Sequence, residues 1–304
     1  MSWSGGVNGR LQSIIVLRSS EWLLIGYFGY VALITPFFSL DRQARWVGPA
    51  VFALVAMLLA VTAIAESFGS QQVFSVARDW IPLGLTLIAY REMDWFSPLP
   101  RDYNLELRWV GWDRTLLYGV GLQGAIESLG ALLPGYLEFC YLLVYAVGPI
   151  SVAVLYSLKR RELVNRLLLV YLAGTLLAYA LFPYFPSDPP RTVFGGTDLP
   201  NVTTPLRSLN LWIVSGYGIH SSVFPSAHVS SAFSAAWALL WLLPGQRKFG
   251  WMMLVYAVSV AVATVYGRYH YAVDAVAGLG VSLAAAFMIL RFALRRPLRP
   301  RGLP

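Results

Sequence analysis

The chain has 304 residues, of which 57% are hydrophobic and 12% are charged, and its mean hydropathy is +0.60. This composition is too apolar for an ordinary water-soluble domain and indicates a membrane protein. The net charge of +8 does not indicate nucleic-acid binding, because the basic residues lie at the edges of apolar segments rather than on one soluble face.

Apolar segments recur along the whole chain at lengths suited to membrane helices. A hydrocarbon core about 30 Å thick needs roughly 20 apolar residues of helix. We predict an all-α, polytopic membrane helix bundle with about eight transmembrane helices, in one bundle domain without internal repeats. The predicted segments are residues 22–40, 47–65, 79–90, 136–158, 164–184, 226–243, 249–266 and 271–290.

The third segment is the weakest of the eight. It is short, it follows Arg78 and begins with Asp79, and Pro82 interrupts it. A proline inside a helix removes a backbone hydrogen bond and kinks the helix. A re-entrant or partly buried helix is therefore the alternative at this position.

The basic residues are distributed unequally between the two sides of the predicted bundle. With eight spans, 14 of the 23 Lys and Arg residues lie on the side that holds both chain ends. The positive-inside rule makes that side cytoplasmic. We therefore expect a multi-pass protein of the plasma or inner membrane, whose third, fifth and seventh connections are extracytoplasmic.

Two of these outer connections have an unusual composition. The connection after the third segment mixes aromatic and charged residues, as in Trp112-Asp113-Arg114, which suits an interfacial helix. The connection after the fifth segment holds six prolines between residues 183 and 205, which we expect to forbid a regular helix across it. Its Asp188-Pro189-Pro190-Arg191 segment favours the wall of an active site over disordered filler.

Two of the three histidines lie at the edges of predicted helices. His228 follows Pro225-Ser226, where Ser226 is a candidate helix cap whose helix N-terminus suits a phosphate group. His270 and Asp274 are four residues apart, so on a helix they share one face and the carboxylate can hold the imidazole. Two histidines, one of them oriented by a carboxylate, suit covalent phosphoryl transfer. The alternative is that both histidines only cap helices at the interface.

Metal and disulfide chemistry are not expected. The single cysteine, Cys140, cannot form an internal disulfide, and no cluster of His, Cys or carboxylate residues has the spacing of a metal site. We therefore expect neither a metal nor another cofactor. Cys140 lies in an apolar segment, where a packing role is the simplest interpretation.

The segments Pro225–His228 and His270–Asp274 resemble the second and third motifs of the type 2 phosphatidic acid phosphatase superfamily, the integral-membrane lipid phosphatases and phosphotransferases. Three further segments, beginning at Arg78, Trp112 and Asp188, resemble the branch that contains fungal inositol phosphorylceramide synthase and its bacterial relatives. The resemblance implies a six-helix core over residues 79–290. Residues 1–78 then hold two extra helices, and residues 291–304 form a basic cytoplasmic tail.

The resemblance also implies roles for individual residues. His270 would attack phosphorus and become a phosphohistidine, with Asp274 orienting its imidazole. His228 would protonate the leaving alcohol and then deprotonate the acceptor. Ser226 and nearby backbone N–H groups would hold the phosphoryl oxygens, and no metal would be needed.

The chain departs from the family pattern in its phosphate-binding cations. The first motif of the family has a Lys and an Arg before a Pro, whereas here Pro190 precedes Arg191. The third motif has a Ser-Arg pair before the histidine, and Ala263-Thr264 stand there instead. Arg191 is the better candidate for the phosphate clamp, because a loop arginine can bind two oxygens at once; Arg268 is the alternative.

We therefore expect a membrane enzyme that transfers a phosphoryl or phospho-headgroup from a lipid phosphate donor at the outer face of the membrane. Water as acceptor makes it a lipid phosphatase; a lipid or sugar hydroxyl makes it a phosphotransferase. The altered arginine pattern slightly favours the phosphotransferase branch over the phosphatases. A polytopic transporter and a catalytically dead lipid-binding relative are the alternatives, and no nucleic acid or obligate protein partner is expected.

Overall fold

The computed structural model describes residues 16–38, 44–68, 71–97, 102–196 and 198–293. Within these ranges the chain is all-α, as the sequence predicts, and contains no β-strand. The α-helices are α1 Ser19–Ile34, α2 Ala44–Phe68, α3 Gln71–Glu92, α4 Asn104–Arg114, α5 Leu122–Glu127, α6 Leu132–Leu143, α7 Val147–Ser157, α8 Val164–Leu181, α9 Pro190–Val193, α10 Pro205–Tyr217, α11 Ala227–Leu242, α12 Lys248–Tyr266 and α13 Ala272–Ala293.

The long helices form a polytopic bundle around α11. A short 3₁₀ turn, Val144–Ala146, joins α6 and α7 into one rod, so helices occur at all eight predicted positions. The central α11 packs against α8, α12 and α13, and α1 packs against α2 and α8. Small residues on α11, such as Ala232, Ala235 and Ala236, are fully buried and let the neighbouring helices approach closely.

Five helical stretches are long and apolar enough to cross a membrane by themselves. The other three predicted segments are also helical, but each is either too short or too highly charged to be counted among these five. Helices α1 and α11 have 16 residues each, and α3 has 22 residues but carries charged groups. The five stretches are Arg45–Phe68, Leu132–Ser157, Arg161–Tyr184, Lys248–Tyr266 and Ala272–Arg291.

The third predicted segment is longer than the sequence suggests. Helix α3 begins eight residues before Asp79 and, at 1.5 Å per residue, is about 33 Å long. Its charged turn is accommodated because Arg78 pairs with Glu21 at 2.5 Å, and Asp79 pairs with Arg18 and Arg161 at 2.6 Å each. Paired charges cost far less to bury than isolated ones.

The first helix is shorter than the predicted segment. Helix α1 ends at Ile34, and a 3₁₀ turn that contains Pro36 follows it. Proline has no N–H to donate and stops the α-helical ladder at this point. The predicted end, Leu40, lies outside the described residues, as does the tail from residue 294 onward.

No single helix crosses the described part of the proline-rich connection, but a regular helix begins at the last of its six prolines. Helix α10 begins at Pro205, where proline is tolerated because the first-turn N–H groups have no partner within the helix. The side chain of Thr204 caps it by accepting a hydrogen bond from the backbone N–H of Arg207. Helix α10 packs on α6, while α4 packs on α9 and α13. The connection therefore covers one end of the bundle.

The sidedness of the bundle remains a prediction that cysteine labelling can test. Thr203 and Gln246 are exposed on opposite ends of the bundle, and the native Cys140 is buried. We expect Thr203→Cys to react with a membrane-impermeant thiol reagent in intact cells, because the basic residues keep the other end inside. Gln246→Cys should react only after the cells are opened, and the native chain should not react. The reverse pattern would put the covered end of the bundle in the cytoplasm.

Candidate active site

His228 and His270 contact each other at the covered end of the bundle. His228 is the second residue of α11, and His270 lies in the connection between α12 and α13. Nδ1 of His228 is 3.2 Å from Nε2 of His270, a hydrogen-bond distance. The structure thus brings together the two histidines on which the sequence-based prediction depends.

The His270–Asp274 contact forms differently from the predicted one. Helix α13 begins at Ala272, so His270 precedes the helix instead of lying on its face. Asp274 still reaches it: one carboxylate oxygen, Oδ2, is 3.3 Å from His270 Nδ1 and accepts the backbone N–H of Tyr271 at 2.9 Å. The carbonyl oxygen of Val223 is closer to the same nitrogen, at 2.9 Å.

These contacts determine which nitrogen of His270 carries the proton. The carbonyl oxygen of Val223 can only accept a hydrogen bond, so Nδ1 must be the donor and Nε2 carries the lone pair. Burial lowers the pKa of His270 well below its usual value, and the nearby His228 and Arg191 lower it further; only the Val223 carbonyl opposes them. His270 therefore stays neutral below pH values where an ordinary histidine, with a pKa of about 6.5, gains a proton.

Ser226 caps a helix in this structure, and its expected contact with phosphoryl oxygens stays a prediction. Its side chain accepts the backbone N–H of Val229 at 3.3 Å and so caps α11. Its own N–H donates to the backbone carbonyl of Asp274 at 2.9 Å, which ties α11 to the start of α13. Ser226 is fully buried, whereas the next residues, Ala227 and His228, line the cavity beside the histidines.

Arg191 lines the same cavity, whose volume is about 90 Å³. Its backbone N–H donates to the carbonyl of Arg268 at 3.1 Å. Its guanidinium is 3.4 Å from the carbonyl oxygen of Tyr269 and 5.5 Å from the centre of the Tyr269 ring. These contacts hold a cation beside His228 and His270 in the lining of the cavity.

Arg268 lies outside the cavity lining and is 1% exposed. Its guanidinium donates to Asp113 of α4 at 2.6 Å and lies 3.6 Å from Asp198. The other oxygen of Asp113 accepts the backbone N–H of Ala272 at 2.8 Å. Arg268 therefore holds the connection that carries His270, and in this structure it does not reach the cavity.

A second buried network lies behind the histidines. Glu138 of α6 pairs with Arg207 at 2.9 Å and accepts hydrogen bonds from Asn210 and from the Tyr269 hydroxyl, each at 2.7 Å. The Tyr269 ring stacks on Tyr141 with their centres 3.8 Å apart. The Tyr141 ring in turn stacks on His228 at 5.2 Å. Glu138 therefore holds Tyr269 in place, and the stacked rings of Tyr269 and Tyr141 in turn position His228.

With this geometry established, comparison with known proteins identifies the family. Residues 123–288, more than half of the chain, match the PAP2 superfamily. The chain belongs to the PAP2 superfamily. Both histidines, Asp274 and Arg191 lie inside the matched region of this PAP2 superfamily member.

Two curated relatives are similar to parts of this PAP2 superfamily protein. A PA-phosphatase related-family protein of Dictyostelium discoideum is 23% identical over 282 residues, which cover 76% of this chain and 49% of that protein. The undecaprenyl-diphosphatase BcrC of Bacillus subtilis strain 168 is 31% identical over 75 residues, or 24% of this chain and 37% of that protein. The chain thus spans about half or less of the curated relatives it matches. No solved structure matches it.

Sequence reasoning missed the residues that support the histidines. Asp113 stands in the segment Trp112–Arg114, which indicates no role for it individually, and no local pattern marks Tyr141 or Arg207. Glu138 was detectable, because a lone carboxylate inside an apolar segment is costly and usually has a partner or a function. Its partner Arg207 lies 69 residues away in sequence, so no spacing rule connects the two.

The Arg268–Asp113 pair should contribute strongly to stability. Arg268→Ala leaves the buried carboxylate of Asp113 unpaired and should lower the free energy of unfolding by about 3–5 kcal/mol. The double variant Arg268→Met/Asp113→Leu should recover most of that loss, because it removes both charges. Thermal unfolding in detergent measures both effects.

Arg160 provides the matched control for this prediction, because its ion pair with Glu162 is about half exposed on both partners. Arg160→Ala should change stability by no more than about 1 kcal/mol. An Arg268→Ala protein that melts like the native chain would mean that this pair does not hold the His270 connection.

Proposed function

We propose that this PAP2 superfamily protein is a membrane enzyme that removes or transfers the phosphoryl group of a lipid phosphate through a phosphohistidine on His270. The observation that carries the proposal is the convergence of three groups on one cavity: the lone pair of His270 Nε2, the ring of His228 and the guanidinium of Arg191. These are a nucleophile, a proton carrier and an anion-binding group.

In the first half of the proposed reaction, Nε2 of His270 attacks phosphorus. The N–P bond forms, the P–O bond to the leaving alcohol breaks, and His228, which takes up a proton beside the bound phosphoryl anion, gives that proton to the departing oxygen. The Val223 carbonyl and the Asp274 carboxylate stabilise the positive charge that develops on the His270 ring, because both accept from Nδ1. The substrate's phosphoryl group separates the two rings, which touch in the free enzyme.

In the second half, water or an alcohol attacks the phosphohistidine. His228 takes the proton of the attacking hydroxyl, the new O–P bond forms, and His270 is released. Arg191 neutralises phosphoryl charge in both halves, and the first turn of α11, which begins at the cavity, offers backbone N–H groups.

The choice between water and an alcohol decides between phosphatase and phosphotransferase. The two curated relatives have phosphatase names, which favours water. Transfer to a lipid or sugar hydroxyl, as in the inositol phosphorylceramide synthase-like branch, remains a prediction from the arginine pattern and the three N-terminal segments. Because the first half-reaction is common to both, one donor assay tests either version.

Purified protein with labelled lipid phosphates tests the function directly. Phosphatidic acid and a polyprenyl diphosphate represent the lipid classes in the relatives' names. We expect labelled phosphate release from at least one of them and transient label on the protein. Neither release nor labelling from a panel of lipid phosphates would reject the proposed function.

Replacing His270 and replacing His228 should affect turnover and protein labelling differently. His270→Ala should abolish turnover and protein labelling, because the nucleophile is lost. His228→Ala should still become labelled, slowly, by a donor with a good leaving group such as p-nitrophenyl phosphate, because that donor does not need protonation. His220→Ala is the control, since His220 is an exposed histidine outside the cavity lining. Full turnover by His270→Ala would refute the mechanism.

Arg191 should matter more to catalysis than Arg268 does. Arg191→Lys replaces a two-pronged donor with a point charge and should cost on the order of 3 kcal/mol, or about a hundredfold in kcat. Arg268→Lys should lower kcat much less, because Arg268 contacts carboxylates outside the cavity. Arg108→Lys, on the exposed face of α4, is the matched control. Near-normal turnover by Arg191→Lys beside an inactive Arg268→Lys would show that Arg268 binds the phosphoryl group.

A further inference from the structure

A groove opens between α12 and α13 at the end of the bundle opposite to the two histidines. Both helices pack against α11 but contact each other little, so α11 forms the floor of the groove. The volume of the groove is about 470 Å³. Its apolar wall includes Trp237, Leu240 and Trp241 from α11, Trp251 from α12, and Leu283 and Phe287 from α13.

The floor of the groove is apolar and already ordered. Nε1 of Trp237 donates to the hydroxyl of Ser282 at 3.2 Å, and the Trp237 ring stacks on Phe233 with their centres 5.8 Å apart. The N–H of this indole is therefore satisfied within the protein, and its ring offers only apolar surface to an occupant. A concave apolar wall gives a hydrocarbon chain more van der Waals contacts than a flat helix face does.

Two exposed arginines stand at the rim of this groove. Arg247 lines it directly and is the one charged residue that does so. Arg291 follows the lining residue Leu290, and its guanidinium lies 5.6 Å from the centre of the Phe287 ring, which also lines the groove. The two cations come from the start of α12 and the end of α13, so they border the same opening from two helices.

Neither arginine has a carboxylate partner among the residues that the structure describes. In the sequence, Asp274 is the only acidic residue after Asp198, and it lies beside His270 at the other end of the bundle. Acidic residues that other helices bring to the groove's end of the bundle pair with other arginines; they are Glu21, Glu66, Asp79 and Glu162. The positive charge at the rim is therefore uncompensated within the described chain.

We propose that this groove binds an anionic phospholipid, with an acyl chain against Trp237 and the headgroup phosphate held at the rim by Arg247 and Arg291. Guanidinium groups bind phosphate oxygens in pairs, and basic pockets between membrane helices favour anionic headgroups. The distribution of basic residues predicts that this end faces the cytoplasm, where the leaflet carries negative charge. A symmetric contact with a second copy through the same face would bring like charges together. The site is separate from the proposed reaction.

The experiment measures which lipid the purified full chain retains. The protein in dodecyl maltoside is mixed with equal amounts of dioleoyl phosphatidylglycerol and dioleoyl phosphatidylcholine, which have the same acyl chains, and native mass spectrometry counts the bound lipids. We expect phosphatidylglycerol to be retained at least about tenfold more, because two cations together favour the anionic headgroup by that factor. Arg247→Gln/Arg291→Gln should retain the two lipids equally. Lys159→Gln/Arg160→Gln, which removes the same charge outside the groove at the same end, should keep the native preference.

A second pair of variants tests the apolar wall without changing the charge. Leu283→Trp fills the groove and should lower phosphatidylglycerol retention severalfold. Met252→Trp is the matched control, because Met252 is an exposed residue of α12 outside the groove, and it should retain the lipid like the native chain. Thermal unfolding checks that each variant is folded.

Three results would overturn the inference. The first is equal retention of the two lipids by the native chain. The second is an effect of the groove variants no larger than that of their matched controls. The third is a dimer that Leu283→Trp dissociates, which would assign the groove to a second copy. Because the groove lies away from the histidines, none of these results bears on the proposed function.

Discussion

The candidate site depends on buried charges that find their partners on other helices. Three consecutive residues before His270 are each held by one of two buried ion pairs. The carbonyl of Gly267 accepts from Arg207 at 3.2 Å, Arg268 pairs with Asp113, and the hydroxyl of Tyr269 donates to Glu138. Removing one partner of a buried pair leaves a charge without compensation, which costs about 3–5 kcal/mol. This energy fixes the connection between α12 and α13 against α4 on one side and α6 on the other.

Fixing that connection also fixes both histidines. His270 follows directly, and its Nδ1 has two acceptors, so the ring has little freedom to rotate. His228 is reached indirectly, through the stack of Tyr269 on Tyr141 and of Tyr141 on His228. In the proposed reaction, a phosphoryl group that enters the cavity would therefore meet groups already in position, and less of the binding free energy would be needed to order them.

At the opposite end of the bundle, ion pairs between helices likewise attach the N-terminal helices. Arg78 contacts both Glu21 of α1 and Glu66 of α2, while Arg18 and Arg161 converge on Asp79. These contacts tie α1, α2, α3 and the start of α8 together by charge. The charged turn of α3 makes this helix the weakest membrane segment by sequence. In the structure, the same turn binds α3 to its neighbouring helices.

The sequence predicts the elements of this structure better than their long-range contacts. Hydrophobic length locates eight helices, and the local spacing of His270 and Asp274 predicts their contact even though His270 precedes the helix. The pair of Arg268 with Asp113 spans 155 residues, and no periodic pattern reports on such a distance. The same limit applies to the groove between α12 and α13, whose wall consists of ordinary apolar-helix residues until three helices bring them together.

Arg191 and Arg268 illustrate why nearness to His270 in sequence is a poor guide to which side chain lines the cavity. Arg268 is two residues from His270, yet its backbone has a left-handed φ of 61°, and its side chain is directed to Asp113. Such a conformation is uncommon for a residue other than glycine and persists here because a buried ion pair compensates for it. Arg191 comes from a distant connection, and its backbone N–H bonds to the carbonyl of Arg268 itself. Arg268, the arginine nearest to His270 in sequence, thus holds the backbone of Arg191, the arginine that lines the cavity.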